Sequence, residues 1–398
     1  MQKGSEDDTT EKLLEHYDEL SDHIKVETKD PDLYPKFTSQ YTDQTVAANS
    51  VIVVCGDKSK VVSNSDMWET STNYQTYQTQ TTGFDGEGQI TSAITYVTSE
   101  NNPKVYWVTG HGEASESDLS TNFSDAINKN NVEISDLALM TDDIPEDAEE
   151  LVIMSPTTDF SEDEANKVIT YLENGGKLLM FTSYTGTDMP NLDSILENYG
   201  VKRSSGIVVE TDSQHYYPQM PYYLLPNIQS DDITTEVKSN YILMPVAQAI
   251  QKLDSYRDTI TIKSLLTTTE DAYIENDPEN STWSKSADSE TGAFDLGVSI
   301  TETVDDKETQ IIYFSSASML SSQIDQAISG ANSKLAATAL TSMCDVEQTV
   351  VIPSKSTSYT NLVFTQGAVN TWSIITIAGI PLVLVVIGVM IWMKRRKQ

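Results

Sequence analysis

Apolar positions take on a helical spacing from residue 90, where Ile90, Ala93, Ile94 and Val97 fall at i, i+3, i+4 and i+7 and predict one buried stripe of a helix. The run "KVYWVTG" (104–110) that follows reads as a strand. Beyond it Leu119, Phe123 and Ile127 recur every four residues, so a second helix is expected to reach about Lys129. "VEISDLAL" (132–139) has the look of a strand, and "ELVIM" (150–154), apolar after its first residue, that of a strand buried on both faces. Ser161-Glu-Asp-Glu164 is a capping box, in which Ser161 and Glu164 satisfy each other's backbone amides, with Phe160 and Ala165 placed as a hydrophobic staple. The helix it opens should stop at Gly175-Gly176, a left-handed C-terminal signal, before the strand "KLLMFTS" (177–183). A right-handed crossover makes that strand-helix-strand unit parallel. Residues 103 to about 200 therefore read as a Rossmann-like layered fold, the centre of a domain assigned to 87–350.

The flanks are less regular. Residues 1–66 suggest a small α/β unit: a helix over Lys12–Leu20, a strand "IKVET", a short helix around "YPKFTSQY", and the strand "SVIVVC" turning through "GDKSK" into "VVS". The order resembles the back part of a thioredoxin-like domain whose first strand would precede Met1, without a Cys-x-x-Cys for redox work. The polar tract 67–86 reads as a linker, and "ENDPENSTWSKSADSETG" (275–292) as loop or disorder by composition. "GVSIT" and "TQIIYFSS" look like late strands and "ANSKLAATALTSM" like a helix.

The C-terminal pattern differs from all of this. After a juxtamembrane segment (351–371), Trp372–Met393 holds 22 residues without a charge, enough to span about 33 Å as a helix. It is expected to cross a membrane once. Trp372 and Trp392 suit the two interfaces, and "KRRK" in the tail 394–398 places that tail in the cytoplasm and everything before 372 outside. The opening "MQKGSEDDTTEKLL" contains no export signal, so a signal or first membrane helix is expected upstream of Met1.

Charge and cysteines narrow the classes further. Sixty acidic residues against 25 basic ones give a net charge of −35, a field that repels phosphate backbones, so nucleic acid is a poor partner. Cys55 and Cys344 have no framework spacing, and Cys55, at the end of "VIVVC", is expected to be a buried thiol.

The candidate chemistry centres on Gly110-His111-Gly112-Glu113, the turn that leaves a strand at its carboxyl end, where ligands bind in α/β sheets. Three readings stand side by side: a tight turn whose polar side chains bond neighbouring loops, a ligand or partner contact, and catalysis by His111 and Glu113. A zinc deaminase needs Pro-Cys-x-x-Cys and a zincin His-Glu-x-x-His; neither is present, and no metal or cofactor is assigned. Ser155 ends its strand at a nucleophile-like place, but Gly-x-Ser-x-Gly is absent. Together with Asp159 it is counted among the ligand or partner contacts. "GFDGEGQI" has no strand leading into it, and no P-loop occurs anywhere. "HYYPQMPYYLLP" (215–226) reads as a packed aromatic loop or as the lining of a carbohydrate or protein groove.

The segments "IKVETKDPDLYP", "FDGEGQITSAITYVTS", "PKVYWVTGHGE" and "YLENGGKLLMF", with the C-terminal apolar helix and "KRRK", resemble the GldG-like family. These are extracytoplasmic auxiliary proteins encoded with ABC transporters and known from gliding motility. The resemblance covers most of the chain, "VTGHGE" being its most specific part. It implies a Rossmann-like domain similar to class I glutamine amidotransferases without their catalytic apparatus, working with a separate ATP-binding subunit and a permease. Where family members often carry a Gly and an Asp in the late strand region, this chain has Ser315 and Ser318 in "YFSSASML". The expectation is a non-enzymatic, membrane-anchored accessory subunit of an ABC transporter. The alternatives are a surface hydrolase or amidase using His111 and Glu113, and a surface scaffold that needs no transporter.

Overall fold

A computed structural model describes residues 7–30, 33–34, 36–42, 45–73, 78–99, 102–279 and 282–344, with Ile352, Lys355, Ser356, Ile375, Pro381 and Arg396. The chain divides into two units, residues 1–67 with 85–354 and residues 68–84 with 355–398.

The larger unit is mixed α/β, built on an eleven-stranded sheet. Ten of its strands run, in chain order, β1 (Lys104–Val108), β2 (Glu133–Leu137), β3 (Glu150–Met154), β4 (Lys177–Phe181), β5 (Val201–Val209), β6 (Gln248–Lys252), β7 (Ile260–Thr267), β8 (Tyr273–Glu275), β9 (Asp295–Val304) and β10 (Lys307–Phe314). The eleventh, Asn227–Ile228, pairs with β7. Across the sheet the order is β8-β5-β6-β9-β10-β4-β3-β1-β2, with β7 also on β9. The run β10-β4-β3-β1-β2 is parallel throughout. From β10 outward every pairing is antiparallel. The expected parallel sheet is therefore half of the observed one, and a hairpin between β9 and β10 joins it to an antiparallel half.

Alternate strand residues sort to opposite faces, as the two-residue period requires. Val152, Met154, Leu179, Phe181, Ile312 and Phe314 pack in one core with α3 (Thr121–Lys129) and α6 (Ala331–Met343). Leu151, Ile153, Leu178, Met180, Ile311 and Tyr313 pack in another with α4 (Glu162–Glu173) and α5 (Pro190–Asn198). The result is a three-layer α/β/α arrangement. Each fully buried aliphatic side chain contributes about 1.5–3 kcal/mol relative to exposure.

Local signals act as the sequence predicts. Ser161 Oγ accepts from the Glu164 amide and the Glu164 carboxylate from the Ser161 amide, closing the capping box. At the other end Gly175 N–H donates to Leu172 and Gly176 N–H to Tyr171, a Schellman turn with Gly175 at φ +90°. The stripe Ile90, Ala93 and Val97 is buried on α2 (Gly86–Thr98), which packs against the hairpin Val51–Cys55/Lys58–Val62.

Several expectations differ from the structure. "IKVET" is not a strand; after α1 (Asp8–Leu20) the chain turns, and "YPKFTSQY" supplies only one short turn at Thr38–Gln40. Cys55 is exposed, because it sits at the tip of a two-stranded hairpin whose burial falls off along Val51–Cys55. The described parts of the polar tract at 67–86 are strands: in the smaller unit Trp68–Asn73 and Gln78–Phe84 form an antiparallel pair, joined by Lys355–Ser356, with the Trp68 and Phe84 rings 4.6 Å apart. Its β-branched threonines favour a strand, and its few large apolar residues, Trp68 and Phe84 among them, sit at the ends of the pair rather than in a periodic run. The described part of 276–290 is irregular yet tied down, Trp283 lying 4.4 Å from the Tyr222 ring and Gln251 bonding Glu290. "HYYPQMPYYLLP" forms the short pair Tyr216–Tyr217 and Met220–Leu224, extended by Met244–Pro245. Among the described residues no helix is long and apolar enough to cross a membrane. The segment expected to do so, 372–393, lies outside them apart from Ile375 and Pro381.

Candidate functional site

In the parallel half the order β2-β1-β3-β4 reverses direction between β1 and β3. The helix after β1 lies on one face and the helix after β3 on the other. Such a reversal opens a crevice at the carboxyl ends of the two strands, the usual ligand position of doubly wound sheets. Both predicted clusters meet there. Gly110-His111-Gly112-Glu113 leaves β1, and Ser155–Asp159 leaves β3.

Here the crevice is filled by the protein itself. Gly110 (φ +124°) and Gly112 (φ +76°) turn the first loop back across the sheet. The His111 carbonyl accepts from the Thr157 and Thr158 amides at 2.8 and 3.0 Å and from both threonine hydroxyls at 3.2 Å. Ala114 N–H donates to the Met154 carbonyl at 3.0 Å, and Trp107 Nε1 to the Ala114 carbonyl at 2.9 Å. Thr157 packs so tightly that a Cβ on Gly112 would fall 2.1 Å from its hydroxyl.

His111 is 4% exposed, and its two ring nitrogens face carboxylates from opposite sides. Nδ1 lies 3.2 Å from Glu113 Oε1, and Nε2 lies 3.2 and 3.3 Å from the two oxygens of Glu164. Glu113 also accepts the His111 amide at 2.7 Å, and the Phe160 ring is 4.2 Å from the imidazole. Burial works to raise the Glu164 carboxyl, but the Ser161 hydroxyl and amide, with His111, hold it below the ordinary carboxylate range. With both ring nitrogens engaged and the ring covered, this is a clamp between the loop after β1 and the first turn of α4.

The remaining predicted residues are placed close by but do other work. Ser155 takes a left-handed backbone (φ +55°), and its hydroxyl donates to Ser183 Oγ at 2.8 Å, with no base bonded to it among the described residues. Asp159 caps α5 from outside: its carboxylate accepts the Asn191 and Leu192 amides at 3.1 and 3.0 Å and the Asn191 side chain at 3.0 Å. Sequence reasoning placed Glu164 only as a capping residue. Its second role, on His111, carried no local signal, because the two positions meet only through the strand order. Thr157, Thr158 and Ser183 were missed for the same reason. Among the described residues no group of three or more His, Cys, Asp or Glu is placed to hold a metal.

Fold and site thus define a doubly wound α/β domain whose switch-point crevice is closed by its own loops. Residues 102–342, more than half of the chain, match the family described as "ABC-type uncharacterized transport system", and the chain belongs to that family. This agrees with the GldG-like resemblance and gives the protein an accessory role in a transport system. No curated protein matches the chain. Among solved structures it is similar to the mmIFT52 N-terminal domain, at 15% identity and TM-score 0.45, covering 60% of this chain and 96% of that one. It is also similar to the exo-beta-1,4-mannosidase Op5Man5 from Opitutaceae bacterium strain TAV5, at 11% identity and TM-score 0.32, covering 61% of this chain and 36% of that one. A third similarity is to a ThuA-like protein from Parabacteroides merdae ATCC 43184, at 12% identity and TM-score 0.32, covering 66% and 95%.

Proposed function

We propose that the chain is a non-enzymatic, extracytoplasmic accessory subunit of an ABC transporter, anchored in the cell membrane by residues 372–393. It recognises a substrate or a surface partner and couples to a permease served by a separate ATP-binding subunit. Membership of a transport-system family carries the reading. The site geometry supports its non-enzymatic part: His111, the natural general base of a hydrolase, has both ring nitrogens against carboxylates and little access to solvent. The apolar run and "KRRK" support the anchor and its orientation. A mild-detergent pull-down of the full-length protein, tagged on its outer domain and read by mass spectrometry, should recover a permease and an ATP-binding subunit in fixed ratio. Recovery of neither refutes the transporter reading and favours a free-standing surface scaffold.

A further inference from the structure

A cavity of about 300 Å³ opens beside the N-terminal hairpin, its walls including Tyr41, Ser59, Lys60, Tyr96, Asn131 and Glu133. None of its lining residues belongs to the two switch-point loops. The volume is at the small end for ligand pockets and suits a molecule of few heavy atoms.

Lys60 is the unusual member. Its Nζ donates to the Asn128 carbonyl at 2.7 Å and to Asn131 Oδ1 at 2.5 Å, and it lies 5.1 Å from the centroid of the Tyr96 ring. All three partners are neutral. An ammonium has three donors, and two are used. Burial alone lowers Lys60 to about 8, with no carboxylate compensating it. In a chain with 60 acidic residues, this half-buried lysine has no carboxylate as an ion-pair partner among the described residues. The same cavity exposes Glu133, whose Oε1 accepts from the Tyr96 hydroxyl and from Asn102 Nδ2, each at 3.3 Å. The cavity therefore offers a cation and a carboxylate that do not neutralise each other.

We propose that this cavity binds a small zwitterion of the free amino-acid class, its carboxylate on Lys60 and its ammonium on Glu133. A simple anion would approach against the field of a chain of net charge −35 and then meet Glu133. A zwitterion is neutral overall, escapes that repulsion, and supplies a counter-ion to the partly desolvated ammonium. Among the described residues the other titratable groups lining the cavity are Tyr96 from α2, Glu133 from β2 and Tyr41 ahead of the hairpin; Lys58, on the same strand, is turned to the Ser99 carbonyl at 2.7 Å. The carboxylate needs Lys60 charged, so affinity holds at lower pH and falls as pH rises through about 8.

Calorimetric titration of the full chain in detergent with L-alanine, and with acetate and ethylammonium as half-ligands, tests the proposal, and because it uses this chain alone it does not depend on the transporter reading. Saturable binding of L-alanine is expected, weakened roughly tenfold or more in Lys60→Met and in Glu133→Gln, each checked by thermal unfolding to be folded. In the unaltered chain the affinity should drop by about tenfold per pH unit above the Lys60 midpoint. No saturable heat with L-alanine, or undiminished affinity in Lys60→Met, overturns the site. Acetate binding as tightly as L-alanine, indifferent to Glu133→Gln, overturns the zwitterion.

Discussion

Glu150 opens β3 with its side chain wholly buried, Oε2 accepting the Cys344 thiol at 3.3 Å and Oε1 without a hydrogen-bond partner among the described residues. Burial pushes its carboxyl well above the ordinary 4.5; the Cys344 hydrogen bond and the Lys177 ammonium oppose that shift only in part. The folded chain thus keeps a proton that the unfolded chain releases. A raised folded pKa gives stability that is complete below the unfolded value and is lost as pH climbs toward the folded one. The slope is one proton's worth, about 1.4 kcal/mol per pH unit, throughout that window. Glu150→Gln keeps the shape and removes the titration, so its stability relative to the unaltered chain should improve by about 1.4 kcal/mol for each pH unit above the ordinary carboxyl range. Urea unfolding of both full chains, followed by tryptophan fluorescence in buffers one pH unit apart, measures the difference. The change with pH is the diagnostic quantity, since any packing cost of the amide is the same in every buffer. Two curves that stay parallel refute the reasoning, and mean that water or an unrecognised partner reaches Oε1 and lets Glu150 ionise in the fold.

Glu164→Ala removes half of the capping box and the Nε2 partner of His111. A loss of about 2–4 kcal/mol is expected in urea unfolding, and Glu164→Gln should lose less. Because the Glu164 carboxyl is held below its ordinary value, its contribution is complete above 4.5 and fades as pH falls through the folded pKa; the penalty of the variant should shrink in acid accordingly. Asp159→Ala leaves the Asn191 and Leu192 amides uncapped. It should cost about 1–2 kcal/mol in thermal unfolding and speed hydrogen exchange at those two amides, with Asp159→Asn recovering part.

What the chain declares in its sequence is its local order. The stripe Ile90, Ala93, Val97, the run "ELVIM", the Ser161–Glu164 box and Gly175 each act within one turn or one strand, and each is where the pattern puts it. The antiparallel half was harder to see. Val201–Val209 is broken by Lys202, Arg203, Ser204 and Ser205, and in β7 the alternation of Ile260, Ile262 with Thr261, Lys263 is lost at Ser264-Leu265-Leu266, so neither keeps a strand pattern over its length. In the site, the loop that holds His111 was visible from its glycines, whereas its clamp was not. Glu164 and Thr157 reach it only because β3 lies beside β1, and nothing in their own neighbourhood marks that pairing. Lys60 carries no signal at all in "GDKSK", where a lysine reads as a solvated turn residue; only the packing of α2 and β2 beside the hairpin makes it a half-buried cation.

The seam between the two halves of the sheet has a temporal consequence. β4 lies between β3, which precedes it closely, and β10, so that Leu178 faces Leu151 on one side and Ile311 on the other. Made from its N-terminal end, the chain completes β1 to β4 long before residues 307–314 exist. At ordinary rates of synthesis β4 waits on the order of ten seconds with one row of amides and carbonyls open. An uncovered, apolar strand edge is a template for pairing with another molecule, and the long loop that must close before β10 docks slows the rescue. The stretch 103–200, which looks self-sufficient, is therefore the part of this protein that most needs protection while it is being made, and a fragment ending there should precipitate rather than fold.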